Sequence, residues 1–203
     1  MIAVSGGKGG TGKTTVALGL AAALADRRRE PVVIDGDVDM PNLHLRAGVD
    51  DGGLEALAAG APLEAAATHS DRFPGVAVVG ATPGADLDRA LRTVSTDRPV
   101  IVDGAAGIST LAVTPLSHAE EAVLVGRNTP AALTDTAKSA RACRSLGVPI
   151  RSILLTRAER VPDAVVRHLR TGPIRPIPRV EDPVSADAAR VVYEQVLDDR
   201  ENA

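Results

Sequence analysis

Ten residues near the start of the chain, Gly6-Gly7-Lys8-Gly9-Gly10-Thr11-Gly12-Lys13-Thr14-Thr15, hold five glycines and two of the three lysines found in 203 residues. Such a run continues neither a strand nor a helix, because glycine loses more backbone freedom on ordering than any other residue. It lies between an apolar stretch, Ile2 to Ser5, that reads as a strand and an Ala- and Leu-rich stretch, Thr14 to Ala25, that reads as a helix. Strand, glycine loop and helix in that order let several backbone N–H groups converge on one anion, to which the helix adds its positive N-terminal end. The spacing fits G-x-x-x-x-G-K-[ST], with Gly7 and Gly12 as the anchoring glycines. In that pattern Lys13 reaches the β- and γ-phosphates and the Thr14 hydroxyl ligates Mg²⁺.

The rest of the chain repeats the alternation. Strands are expected at Val32 to Ile34, Val76 to Val79, Pro99 to Val102, Ala122 to Val125, Ile150 to Leu155 and Pro173 to Ile177. Helices are expected at Leu54 to Ala66, Asp86 to Val94, Leu133 to Leu146, Asp163 to Arg170 and Val184 to Leu197, with Asp35 to Gly53 as loop. Only Phe73 and Tyr193 are aromatic, so Val, Leu, Ile and Ala must fill the core, as suits parallel strands covered by helices. The expected fold class is α/β, a three-layer, mostly parallel twisted sheet with helices on both faces, and residues 1–203 are expected to form a single domain. Ligands of such sheets bind beyond the carboxyl ends of the strands.

Polar residues collect at those ends. Val32-Val33-Ile34 runs into Asp35-Gly36-Asp37, and Val100-Ile101-Val102 runs into Asp103-Gly104-Ala105-Ala106-Gly107. Hydrolysis of a phosphoanhydride needs an oriented water and organised Mg²⁺ hydration, and carboxylates supply both. Asp103 is placed to hold a Mg²⁺-bound water, and Gly107 to let a backbone N–H approach the γ-phosphate.

Lys8 goes beyond a generic phosphate loop. Lys8-Gly9-Gly10-Thr11-Gly12-Lys13-Thr14 resembles the deviant Walker A motif of the MinD/ParA ATPases. The resemblance implies an ATP-hydrolysing, Mg²⁺-dependent switch in which Lys8 reaches the partner's nucleotide in an ATP-dependent homodimer. It implies Lys8, Lys13, Asp37 and Asp103 as catalytic residues, with Asp37 positioning the attacking water. Thr14, Asp35, Asp37 and Asp103 would organise the metal, the carboxylates through water. Gly7, Lys8, Gly9, Gly10, Thr11, Gly12, Lys13, Thr14, Thr15 and Gly107 would surround the nucleotide. Thr129 to Asp135 is similar to the family's segment after the next strand, where Asp135 would orient Lys8. Thr156 and Arg157 fall at the strand end bordering the base, and Pro178 in a loop, Ile177 to Asp182, similar to the one that lines adenine. Ala stands where many family members carry Pro in the Asp103 to Gly107 stretch, which bears on the stiffness of that switch.

The resemblance further implies spatial positioning as the role, at a division site, in chromosome or plasmid partitioning or for another cargo, with a regulatory or cargo protein as partner. An alternative on the same fold is a small-molecule ligase of the dethiobiotin or cobyrinate type, which as a rule lacks the early lysine. Reductases of the iron–sulfur kind need interface cysteines, and Cys143 is the only one. That lone cysteine and the lack of a leader fit a cytoplasmic protein. No apolar run approaches the ~18 residues of a membrane span, and the tail Val196 to Ala203 is acidic and short, unlike a membrane-targeting helix. A net charge of −3 makes no case for DNA by itself. Arg167, Arg170, Arg175 and Arg179 form a looser basic group through which non-specific DNA is a candidate partner, while Arg27 to Arg29 closes a helix and complements its dipole. The four histidines show no metal-ligand spacing.

Overall fold

The computed structural model describes residues 1–7, 9–107, 109–169 and 171–199. Lys8, Arg170 and the tail residues Arg200 to Ala203 lie outside the described residues. In chain order the elements are β1 (Ile2–Gly6), α1 (Lys13–Asp26), β2 (Val32–Gly36), α2 (Leu43–Ala47), α3 (Gly53–Ala58), α4 (Leu63–Ala66), β3 (Thr68–His69) and β4 (Ala77–Val79). They continue as α5 (Leu87–Thr93), β5 (Val100–Gly104), α6 (Thr110–His118), β6 (Glu121–Arg127), α7 (Pro130–Leu146), β7 (Ile150–Thr156), α8 (Asp163–Leu169), β8 (Ile174–Ile177) and α9 (Asp187–Asp198).

The strands form one sheet in the order β3-β4-β2-β5-β1-β6-β7-β8, and every pairing is parallel except that of the two-residue edge strand β3 with β4. Every residue of β1, β2 and β5 is buried, which is why these strands read as unbroken apolar runs up to their final polar positions. Side chains alternate between two faces. Ile2 and Val4 of β1, Val33 of β2 and Val123 and Val125 of β6 share a core with α1 and α9, whereas Ala3, Leu124 and Ala122 pack with α7 and α8 and Val32 and Ile34 with α3 and α5. Helices thus cover both faces. From β1 the chain winds first toward β2 and later toward β6, so the glycine loop after β1 opens at the point where the winding reverses, the crevice where such sheets take ligands.

The face of α1 and α9 is closed by Tyr193, which is fully buried. A Cβ on Gly19 of α1 would stand 2.2 Å from the Tyr193 ring, so glycine alone permits this crossing. The Tyr193 hydroxyl donates to the Pro183 carbonyl at 2.7 Å, satisfying its buried polar end.

Several local expectations need correction. The loop expected from Asp35 to Gly53 contains α2, a helix of five residues. The helix expected from Leu54 to Ala66 is broken between α3 and α4, where Gly60 takes a φ of +94° and Pro62 precedes the second piece. Helix α6 has no counterpart in the sequence reading: Pro115 sits inside it and masks its period, although Ser109 caps it by accepting from the Ala112 N–H.

Candidate nucleotide and magnesium site

The loop between β1 and α1 is shaped by close approaches that leave no room for side chains. A Cβ on Gly6 would lie 2.1 Å from the Val125 carbonyl oxygen of β6, and one on Gly7 would lie 2.9 Å from Cβ of Asp135. Gly12, at φ +99°, is the N-cap of α1, and Gly10 has φ +80° with open space where its Cβ would stand. Both conformations suit glycine. Helix α1 then begins at Lys13 with no acidic residue in its first turn, so its positive end is left for a ligand.

Lys13 is buried, and burial pushes its ammonium below the ordinary range while Asp103 and Asp37 oppose that shift. The Thr14 side chain lies close enough to Asp103 to oppose the rise of its carboxyl. Asp103 is 2% exposed and its carboxyl is pushed up to about 7, first by burial and then by the negative charge of Asp35, its register partner on the neighbouring strand. Its Oδ1 is buried and has no hydrogen-bond partner among the described residues. A sequestered carboxylate oxygen beside a threonine hydroxyl is the donor set a hydrated Mg²⁺ takes, and the residues present fit that ion.

Asp35 plays a different part. Burial pushes it up to about 6, against three backbone N–H groups that its oxygens accept: Asp37 at 3.1 Å, Asn42 at 3.1 Å and Leu43 at 3.0 Å. Both oxygens are therefore engaged in holding the chain from β2 into α2. Asp37 is half-buried, with burial raising its carboxyl and Lys13 opposing, and it accepts the Met40 N–H at 3.3 Å. Asp39 is exposed.

Beside the loop lies a pocket of about 590 Å³. Gly10, Thr11, Gly12 and Thr15 form one wall, Thr156 and Arg157 another, and the segment with Pro178 a third. The strand ends assigned to the base thus come together with the loop assigned to the phosphates. Arg46 of α2 also lines the pocket. Sequence reasoning missed it because α2 itself was read as loop. Gly107 follows β5 at φ +91° with open space around its Cβ position. Asp135 packs on Gly7, next in sequence to Lys8, and pairs with Lys138 at 3.1 Å.

Arg175 is ion-paired with Asp199 at 2.8 Å and Arg179 turns into the pocket wall, while Arg170 lies outside the described residues. No group of three or more histidine, cysteine or carboxylate side chains that could hold a metal ion directly is found among the described residues. None of the described helices is long and apolar enough to cross a membrane.

Fold and loop together define a P-loop nucleotide-binding α/β protein. The family model "CobQ/CobB/MinD/ParA nucleotide binding domain" matches residues 2–171. The chain belongs to that family. Among curated relatives, the antiactivator FleN of Pseudomonas aeruginosa is 33% identical over 148 residues, 66% of this chain and 53% of FleN. The matches thus span only about half to two thirds of the length of such relatives. Among solved structures, the cell division ATPase MinD of Pyrococcus furiosus superimposes with a TM-score of 0.84 at 27% identity, over 100% of this chain and 98% of that one. The septum site-determining protein MinD of Pyrococcus horikoshii, solved with Mg-ADP, gives 0.78 at 30% identity over 96% of this chain and 88% of that one.

Proposed function

We propose that this chain is a Mg²⁺-dependent ATPase of the MinD/ParA kind that works in the cytoplasm as a nucleotide-controlled dimerisation switch for spatial positioning. The observation that carries the proposal is the convergence of Lys13, Thr14, Asp37 and Asp103 under a phosphate loop whose sequence holds a second lysine, Lys8. The named relatives are a cell division ATPase, septum-site proteins and an antiactivator, which supports a positioning or regulatory role.

On this reading the loop amides and Lys13 hold the phosphates of ATP, Thr14 and Asp103 hold the hydrated metal, and Asp37 orients the attacking water. Bound there, Mg²⁺ would neutralise charge that develops on the phosphates. Asp35 acts behind them by fixing the Asp37 to Leu43 backbone. Lys8 completes a second protomer's site. An amide synthase of the CobQ/CobB branch shares the family but gives the early lysine no task.

Light scattering on size-exclusion fractions, with Mg²⁺ and a slowly hydrolysed ATP analogue, tests the switch. Wild type should elute as a dimer and Lys8→Ala as a monomer. A wild type that stays monomeric at high concentration sinks the switch reading, and ATP turnover only with an added small substrate would favour the synthase.

A further inference from the structure

Thr156 stands at the end of β7, where the family resemblance puts the border of the base. Its hydroxyl is otherwise engaged. Oγ1 donates to the Thr11 carbonyl oxygen at 2.7 Å and lies 3.2 Å from the Gly126 carbonyl oxygen of β6. A hydroxyl has one proton, and 2.7 Å is the optimum for O–H···O, so Thr11 is the principal acceptor. The methyl of the same side chain lies 3.3 Å from where a Cβ on Gly12 would stand. One side chain, 145 residues along the chain, thus binds the Thr11 carbonyl and fills the space beside Gly12.

That peptide is trans and planar, so its carbonyl and its N–H point in opposite directions. Holding the Thr11 oxygen toward β7 turns the Gly12 N–H away from the sheet edge. Gly12 is the N-cap of α1, so the orientation of this peptide also sets the first amides of the helix. Among the described residues no hydrogen bond from within the loop holds this peptide: Gly12 at φ +99° imposes no side-chain restraint, and the Thr11 hydroxyl oxygen is buried without a partner.

We propose that Thr156 is a positioning residue for the phosphate loop, which aims the Gly12 N–H at bound phosphate through the Thr11 carbonyl, and that it does not read the base. The inference rests on the phosphate-binding role given to this loop above.

Calorimetric titration of MgADP, MgGDP and magnesium pyrophosphate into wild type, Thr156→Val and Thr156→Ser separates the roles. Valine keeps the shape and removes the hydroxyl, and serine keeps the hydroxyl. Thr156→Val should weaken all three ligands by a common factor of about five to ten, the effect of one lost hydrogen bond, and Thr156→Ser should bind as wild type. A loss confined to the ADP-to-GDP ratio, with pyrophosphate unchanged, would show a base reader and overturn the proposal. So would a serine variant as weak as valine, or a valine variant as tight as wild type. Should Thr156→Val fail to fold, Thr156→Ala is read in the same three titrations with the same expectations. If wild type binds none of the three ligands, the phosphate-site reading itself fails, an outcome distinct from all the others.

Discussion

Replacing Asp103 by Asn should change how the nucleotide-free protein responds to pH. The buried carboxyl stands at about 7 against an ordinary value of 3.8, because water is excluded from it and Asp35 lies beside it on the next strand. The folded state therefore binds a proton that the unfolded chain releases near pH 4. Wherever the folded state holds the extra proton, stability falls as pH rises. The contribution is complete below about pH 4, is lost as pH climbs through about 7 and is flat above. Across the whole window it amounts to roughly 4 kcal/mol, of which about 2–3 kcal/mol falls between pH 5 and pH 8. Asp35, at about 6, acts with the same sign over a narrower window. Urea denaturation at pH 5 and pH 8, without Mg²⁺ or nucleotide, measures the effect. Wild type should lose stability on going to pH 8, and Asp103→Asn, which keeps the shape and removes the titrating group, should lose roughly 2–3 kcal/mol less. Equal pH slopes in the two proteins would refute the reasoning, since the slope would then belong to other groups.

Gly19→Ala forces a methyl into the Tyr193 ring at 2.2 Å; overpacking of about 1–3 kcal/mol, less the roughly 1 kcal/mol of helix propensity regained, should lower stability in thermal denaturation. Asp37→Ala should bind MgATP and dimerise yet release no phosphate, and normal turnover in a phosphate-release assay would remove Asp37 from the mechanism. Arg27 joins the end of α1 to Glu194 and Asp198 of α9. Arg27→Ala should cost about 1 kcal/mol at low salt and less at high salt, checked by denaturant midpoints at the two ionic strengths.

The signals written into short stretches of chain were legible in advance. Strand, glycine loop and helix at Ile2 to Ala25 follow from composition and period alone, as do the buried strands that end at Asp35 and Asp103. Each of these depends on residues within a few positions of one another. Where a local signal was disguised the reading failed: Pro115 hid α6, and Gly60 with Pro62 divided what looked like one Ala-rich helix.

The site was legible as a set of residue types and illegible as a set of partners. That Asp103 and Asp35 would be register neighbours, with the charge of Asp35 raising the proton affinity of Asp103, depends on β5 inserting between β1 and β2. That Arg46 would reach the pocket required α2 to exist, and that Gly19 must be glycine required α9 to cross it at Tyr193. The sequence by itself determined that a phosphate loop would form and which carboxylates end the buried strands, because hydrophobic period and glycine spacing encode burial and local conformation. The tertiary structure decided which groups share a field, a pocket or a proton, and it placed Thr156 on the Thr11 carbonyl, because strand order and helix crossing join residues that no local pattern connects.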